Sequence, residues 1–278
     1  MRVLLTGGTG QLGRAVQALA PDGWDLLAPP RARLPLSKAE AIRAYLERER
    51  PTHILHAGAW TAVDAAESSP EEAHAVNAES TDVLAAYAAE HHAKMLYIST
   101  DFVFGPGHDR PIPIDATPAP QSVYGATKLA GERAVRERLG DEGLIVRTSW
   151  VWDRTGTNFV NTMLRLMRER HTLNVVCDQI GSPTYAPDLA AFCALLLKQN
   201  HTGTWHFSNA GVASWYDFAC AIHTYGHQQN LLPHNVTIRP IPTEAYPTPA
   251  TRPRYSVLCK QKTWEVVEAR HWGEALVT

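Results

Sequence analysis

The chain has 278 residues, 45% of them hydrophobic, and a formal net charge of −2 at pH 7, as expected for a globular protein able to bury a full core. It contains no Lys/Arg block, so a nucleic-acid partner is not expected. Its apolar runs are too short to cross a bilayer, and no signal-type segment precedes the run at Val3, so no membrane partner is expected either.

The cysteines and histidines favour neither a disulfide framework nor a metal site. The four cysteines are Cys177, Cys193, Cys220 and Cys259. They lack paired spacing, which is typical of reduced thiols and predicts a cytoplasmic protein. Among the histidines only His223 and His227 have the H-x-x-x-H spacing, without the Glu of zinc helices. We interpret all histidines as core or surface residues.

The first predicted elements are a strand, a glycine turn and a helix. Residues 2–5 form an apolar run, and residues 6–13 follow with a G-x-x-G-x-x-G pattern. Glycines there allow a tight turn and close approach of the backbone to a pyrophosphate, which the helix N-terminus would bind. The alternative is a plain tight turn. The predicted cofactor residues are Gly7, Gly10, Gln11, Leu12 and Gly13.

The second predicted strand, residues 24–28, bears on the choice of cofactor. An acidic residue at this strand end would bind a ribose 2′-hydroxyl, whereas an arginine accommodates a 2′-phosphate. The strand here runs into Pro29-Pro30-Arg31-Ala32-Arg33, which offers two guanidiniums and no carboxylate. We therefore predict NADPH, with Arg31 as a contact and NADH as a weaker option. Alternatively, Arg31 and Arg33 are simply solvated.

The next predicted elements lead to the crevice at the carboxyl end of the sheet. A capping box at residues 37–40 predicts a helix to about residue 50, and residues 52–56 form the third strand. The small residues Ala57, Gly58 and Ala59 would let the backbone contact a cofactor, with residues 61–64 just beyond. A long helix is predicted over residues 70–90, in which Asn77 is polar amid alanines and simple exposure is its plainest interpretation.

A fourth strand, residues 94–99, leads to the candidate catalytic groups. Thr100 ends it and could hydrogen-bond a carbonyl, although a hydroxyl that merely ends a strand is common. A loop, residues 102–121, could cross the site. Tyr124 and Lys128 follow four residues apart, on one face if the segment is helical. A nearby ammonium lowers the pKa of a phenol, so the pair predicts an acid; the alternative is an exposed tyrosine beside a surface lysine.

Composition changes after the fifth strand, residues 144–148. Trp150 and Trp152 could pack a flat ring or belong to a core. Further helices are predicted over residues 158–169, 187–198 and 214–225, with strands over 174–176 and 203–208. Arg252 and Arg254 are candidates for a diphosphate or for lobe packing. We expect an α/β fold with a doubly wound parallel sheet in residues 1–150, later segments at about 173–210 extending it, and a smaller substrate lobe over 151–278.

Together these motifs resemble those of extended short-chain dehydrogenase/reductases, which have a Rossmann-type sheet. More specific blocks are similar to the dTDP-4-dehydrorhamnose reductase family and run through nearly the whole chain. These blocks are residues 61–64, 147–151, 178–184, 208–211, 214–219, 246–250 and 252–256. The resemblance implies that Tyr124 is the acid, Lys128 its partner and ribose ligand, and Thr100 the carbonyl-orienting hydroxyl.

The resemblance also implies a substrate site and an activity. The implied substrate residues are Thr61, Val63, Asp101, Phe102 and Trp150. The implied reaction is reduction of the C4 ketone of dTDP-4-dehydro-L-rhamnose to dTDP-L-rhamnose with NADPH. Alternatives are another epimerase, dehydratase or 4-ketoreductase of nucleotide sugars, or a non-catalytic regulatory homologue.

Three positions depart from the family pattern. Leu34-Pro35-Leu36 stands where Leu-Asp-Leu is frequent, so a cofactor contact from that carboxylate is not expected. Ala15 stands where some members carry a metal-holding Glu at a subunit interface, so we predict no metal, while a homodimer stays open. Cys259 stands where Asp is usual, with no consequence that we can derive.

Overall fold

Twelve strands are present in the computed structural model, which describes residues 1–278. The strands are β1 (Arg2–Thr6), β2 (Asp25–Leu27), β3 (His53–His56), β4 (Lys94–Thr100), β5 (Leu144–Thr148), β6 (Val151–Trp152), β7 (Thr172–Val176), β8 (Ile180–Gly181), β9 (Thr184–Tyr185), β10 (Gly203–Phe207), β11 (Ala213–Ser214) and β12 (Thr237–Ile241). Six of them form one sheet in the order β10-β5-β4-β3-β1-β2, and every neighbouring pair in it is parallel.

Helices connect and cover these strands. The helices are α1 (Gln11–Leu19), α2 (Ala39–Glu49), α3 (Val63–Ser68), α4 (Pro70–His74), α5 (Ser80–Glu90), α6 (Val123–Leu139), α7 (Phe159–Glu169), α8 (Ala186–Lys198), α9 (Trp215–Gln228), α10 (Gln261–Trp264) and α11 (Trp272–Val277). A π-helical turn (Ala75–Glu79) joins α4 to α5, and short 3₁₀ turns lie at Asp101–Val103, Gly140–Glu142 and Thr243–Ala245. None of the helices combines the length and apolarity needed to span a membrane.

Both faces of the central sheet are buried, which explains why its strands are continuous apolar runs. In β1, Val3 and Leu5 point to a core shared with α1 and α8, while Leu4 points to a core shared with α2, α5 and α6. Helices therefore cover both faces. The predicted Rossmann-type doubly wound parallel sheet is confirmed.

Strand order reverses between β1 and β3, and this reversal positions the site. The helix after β1 packs on one face and the long helix after β3 on the other, so a crevice opens between the carboxyl ends of these strands. The two chain segments that follow them, the glycine turn and residues 57–63, both border that crevice.

A third apolar cluster lies outside the sheet, between α7, α9, α11 and β7. β7 pairs with β12 in a separate two-stranded sheet, whereas β10 joins the main sheet beside β5. Of the two later strands predicted within residues 173–210, one thus extends the main sheet and the other does not. Trp152 is 1% exposed in this third cluster, so it is a core residue.

Two local predictions were wrong. The capping box at residues 37–40 does not form, because a turn that Lys38 N closes on Pro35 O delays the helix to Ala39, without a side-chain cap. Asn77, which lies in the π-helical turn, is fully buried rather than exposed. Its amide accepts from Trp60 N (2.7 Å) and donates to Trp60 O and to the Thr127 hydroxyl.

Candidate active site

A cavity of about 520 Å³ opens at the carboxyl ends of β1, β3 and β4. The predicted cofactor residues that line it are Gly7, Gly10, Gln11, Leu12, Gly13, Arg31, Ala57, Gly58, Ala59, Tyr124 and Lys128. The other predicted site residues that line it are Thr61, Val63, Thr100, Asp101, Phe102 and Trp150. The structure therefore brings all of these residues to one cavity, whereas Arg33 and Asp64 do not line it.

The glycine turn is packed too closely for side chains. A Cβ on Gly13 would lie 2.1 Å from Gly7 O, and one on Gly7, whose φ is +71°, would lie 2.6 Å from Gly58 Cα. Gly10 caps α1 without any side-chain hydrogen bond, so the first N–H groups of the helix stay available to an anion. The Gln11 side chain donates to Val151 O, and its Oε1 is buried without a partner.

The segment after β3 is held by two buried polar residues. Gly58 N donates to the Thr6 hydroxyl (3.0 Å), and Asn77 pins both backbone groups of Trp60. Because Asn77 also contacts Thr127 on α6, it ties this loop to the helix that carries Tyr124 and Lys128. This role of Asn77 was not predicted from the sequence, where a polar residue amid alanines fits exposure equally well.

The end of β4 and the start of α6 meet inside the cavity. Thr100 Oγ1 donates to Asp101 Oδ1 (3.0 Å) and accepts from Phe102 N (3.2 Å). The Phe102 ring packs edge-on against Tyr124, with centroids 5.5 Å apart. Lys128, one turn along α6, is 2% exposed.

The pKa of Tyr124 is raised rather than lowered, contrary to the prediction. Burial raises the pKa of Tyr124 to about 12; the Thr100 hydroxyl lowers it and the Asp101 charge raises it. The Lys128 ammonium instead donates to Ile98 O (2.7 Å) and lies 4.0 Å from the centroid of the Tyr97 ring. Tyr124 is protonated at neutral pH, as a phenol ordinarily is, and this is the state that a proton donor requires.

Asp101 is a buried carboxyl beside these groups. Burial raises its pKa to about 6, while the hydroxyls of Ser256 and Thr100 favour the charged form. The Ser256 hydroxyl nevertheless donates to Ile180 O, and Asp101 Oδ2 has no hydrogen-bond partner. An unpaired buried oxygen is costly, so this atom is suited to accept a hydrogen bond from a ligand hydroxyl.

Trp150 lines the cavity in a constrained conformation. Its φ is +48°, a left-handed value that is uncommon for a bulky residue. The indole stacks on Trp215 with centroids 3.5 Å apart, and a Cβ on Gly181 would lie 2.6 Å from Trp150 Cε2. Trp215 in turn donates to Gln179 Oε1. Trp150 is therefore a fixed aromatic wall, and its support by Trp215 was not predicted from the sequence.

Arg252 and Arg254 do not line the main cavity. Each forms an ion pair with a carboxylate. Arg252 bonds Asp64 through both terminal nitrogens, at 2.9 and 2.7 Å. Arg254 pairs with Glu244 and lies near Asp178. Both arginines line a second cavity of about 620 Å³. The pair with Asp64 links the Pro-rich segment to α3 and favours the packing interpretation for Arg252.

Comparison with known proteins agrees with this architecture. The family model described as RmlD substrate binding domain matches residues 1–278. A dTDP-4-dehydrorhamnose reductase of Escherichia coli (strain K12) is 41% identical, covering 94% of this chain and 90% of the relative. A dTDP-4-keto-6-deoxy-D-glucose reductase of Streptomyces niveus is 37% identical, covering 99% and 95%.

A solved structure gives the same result for the whole fold. The dTDP-4-dehydrorhamnose reductase of Bacillus anthracis, in complex with NADP, is 36% identical with a TM-score of 0.92, covering 99% of this chain and 96% of that chain. The full-length match and the identity to several such reductases leave no part of the chain unaccounted for. The chain belongs to the dTDP-4-dehydrorhamnose reductase family, whose model is the RmlD substrate binding domain.

Proposed function

We propose that this protein is an NADPH-dependent oxidoreductase that reduces the C4 ketone of dTDP-4-dehydro-L-rhamnose to dTDP-L-rhamnose. The observation that carries the proposal is that one cavity joins the glycine turn to Thr100, Tyr124 and Lys128. Relatives that bear the name of this reductase match nearly the whole chain.

The cavity fits a nicotinamide dinucleotide. Its glycine turn has no room for a Cβ at Gly13, while the N-terminus of α1 offers uncapped N–H groups that suit a diphosphate. Arg31 borders the same cavity and would take the 2′-phosphate, and Lys128 would take a ribose hydroxyl. When bound, NADPH supplies the hydride.

The residues of this chain would orient the ketone and provide the proton. Tyr124, which is protonated at neutral pH, would donate to the carbonyl oxygen as negative charge grows there. The Thr100 hydroxyl, freed from Asp101 by rotation, would hydrogen-bond the same oxygen. Asp101 Oδ2 would accept from a sugar hydroxyl, and the wall formed by Trp150 would limit movement of the ring.

An assay with dTDP-4-dehydro-L-rhamnose and NADPH tests this function. We expect one equivalent of NADPH to be consumed per sugar reduced. Because one relative is named for dTDP-4-keto-6-deoxy-D-glucose, that sugar is the second substrate to assay, and faster turnover with it would reassign the substrate. An epimerase or dehydratase would not consume NADPH. A regulatory homologue would show no reductase activity and would co-purify with a larger enzyme.

Arg31→Ala is expected to change cofactor preference. Hydrogen bonds to charged groups contribute about 1.5–3 kcal/mol, so kcat/KM with NADPH should fall by roughly 10–100-fold while kcat/KM with NADH stays the same. Steady-state kinetics with both cofactors measure this. Arg33→Ala is the matched control, because Arg33 does not line the cavity. An equal loss with both cofactors in Arg31→Ala would contradict the assignment.

Trp215→Ala is expected to raise KM for the sugar and to spare kcat. Loss of the stack, worth about 0.5–1.5 kcal/mol, would loosen Trp150 and raise KM by up to about tenfold. Initial rates at saturating NADPH measure both constants. Trp264→Ala is the control, since Trp264 is 56% exposed. A KM equal to that of the wild type would mean that Trp150 needs no support from Trp215.

The proposal also covers the division of the chain into two parts, the cellular location of the protein and its oligomeric state. We assign residues 1–150 mainly to cofactor binding and residues 151–278 mainly to the substrate, with β10 as a late strand of the sheet. Four free cysteines suit a cytoplasmic enzyme. The net charge of −2 and the lack of a Lys/Arg block favour a protein without nucleic-acid partners. The homodimer that the family resemblance allows stays a prediction, which analytical ultracentrifugation would measure.

A further inference from the structure

Glu132 is a buried carboxylate that the proposed reaction does not use. It follows Tyr124 and Lys128 at intervals of four residues, so the three side chains lie along one stripe of α6. Its side chain is wholly buried and accepts four hydrogen bonds. The donors are Ser99 Oγ (2.6 Å), Arg147 Nε (2.7 Å), Arg147 Nη2 (2.8 Å) and Arg136 Nη2 (2.8 Å).

These hydrogen bonds join the strand end of the site to its helix. Ser99 lies between Ile98, whose carbonyl accepts from Lys128, and Thr100. Arg147 comes from β5 and also donates to Ile114 O (2.9 Å), which fixes the guanidinium from a second side. Through Ser99, the carboxylate of Glu132 therefore anchors the stretch of β4 that carries Thr100 to the helix that carries Tyr124 and Lys128.

Glu132 also acts electrostatically on Lys128. Burial lowers the pKa of Lys128 to about 7, and the negative charge of Glu132 raises it. The other titratable groups that face Lys128 are neutral at that pH: the Tyr97 ring under the ammonium, Tyr124 one turn away, and buried His56, whose pKa burial lowers to about 3. Of the titratable groups near Lys128, Glu132 is the one whose charge favours the protonated amine.

We propose that Glu132 is a positioning residue of the active site, which holds the Thr100 strand end through Ser99 and places a buried negative charge one helical turn from Lys128. The proposal rests on the proposed function only for the use made of Lys128 and Thr100 in turnover. The contacts and charges themselves are properties of the protein without ligands.

The test measures the titration of the Lys128 amine in the variant Glu132→Gln. The protein contains six lysines, so ¹³C-labelled lysine gives few signals, and the Lys128 signal is identified by its loss in Lys128→Met. Removal of a nearby opposite charge should lower the titration midpoint of Lys128 by about one pH unit or more. If Lys128 works as a cation, the alkaline fall of kcat/KM should move to lower pH by the same amount.

A second variant covers the case in which Glu132→Gln fails to fold. That change leaves the buried Arg147 guanidinium without its negative partner, which is destabilising. The double variant Glu132→Gln/Arg147→Met removes both charges and keeps an apolar side chain against Phe104, where the guanidinium lies 4.8 Å from the ring centroid. Removal of the Arg147 charge offsets part of the lost negative charge, so the midpoint of Lys128 is expected to fall by less than in Glu132→Gln alone.

Two single substitutions separate the electrostatic effect of Glu132 on Lys128 from its hydrogen bond to Ser99. Arg136→Gln removes the partner whose own side chain is 41% exposed and should leave the Lys128 midpoint unchanged. Ser99→Ala keeps the charge of Glu132 but removes the hydroxyl, so kcat should fall while the midpoint stays.

Unchanged midpoints in the Glu132 variants, or an unchanged kcat in Ser99→Ala, would overturn the corresponding half of the proposal. A wild-type protein that reduces no sugar would overturn the proposed function instead, because the lysine titration is made without ligands.

Discussion

Tyr124→Phe is expected to bind both ligands and to turn over about 10²–10⁴-fold more slowly, which is the contribution of a placed proton donor. The change deletes the hydroxyl and leaves the ring, whose edge contact with Phe102 holds the start of α6. Because the hydroxyl would act on the developing charge, kcat should fall while KM and the NADPH dissociation constant change little. Single-turnover kinetics and a fluorescence titration with NADPH measure the two effects.

The matched control is Tyr246→Phe. Tyr246 is 61% exposed and lines only the second cavity, so loss of its hydroxyl should not affect reduction. A kcat within a few-fold of the wild type in Tyr124→Phe would remove Tyr124 as the acid. Loss of NADPH binding in that variant would instead assign it a role in holding the cofactor.

Gly13→Ala is expected to abolish NADPH binding and to lower the melting temperature. Its Cβ would lie 2.1 Å from Gly7 O and 2.6 Å from Gly8 Cα, distances that only movement of the backbone can relieve. That movement would open the turn which presents the N–H groups of α1. Thermal melts and titration of NADPH fluorescence measure both losses.

Gly10→Ala distinguishes tight packing within the glycine turn from close approach of the pyrophosphate to the backbone. The nearest atom to its Cβ would be Gly7 O at 3.2 Å, and its φ is −74°, so alanine fits the fold with a small adjustment. We expect a melting temperature close to that of the wild type but weaker NADPH binding, because a methyl group would stand where the backbone approaches the pyrophosphate. Equal losses of stability in both variants would contradict the difference in packing.

The sequence predicted most elements that carry the site because their signals are local. The predicted strand at residues 94–99 is Lys94–Thr100, and the predicted strand at 144–148 is Leu144–Thr148. Buried parallel strands are short apolar runs, which can be identified without knowledge of their neighbours. The glycine spacing at residues 7–13 and the Tyr124–Lys128 spacing are equally local, and the family resemblance added the substrate residues.

Predictions of the residue at which a helix begins were less accurate, because they depended on single residues. The capping box at residues 37–40 has the right residue types, but a turn closed on Pro35 competes with it and the helix starts later. Helix start signals act over a few residues, so a neighbouring turn can displace them.

Only the tertiary structure decided which polar groups meet and how strongly they are buried. Arg252 pairs with Asp64 across 188 positions of the chain, and Asn77 is buried against Trp60 and Thr127. The spacing of Tyr124 and Lys128 placed their side chains on one face, as predicted, yet the pKa of Tyr124 is raised because burial outweighs the neighbouring groups. Periodicity along a segment determines which face is apolar, whereas desolvation and pairing depend on atoms contributed by distant segments, which sequence spacing does not specify.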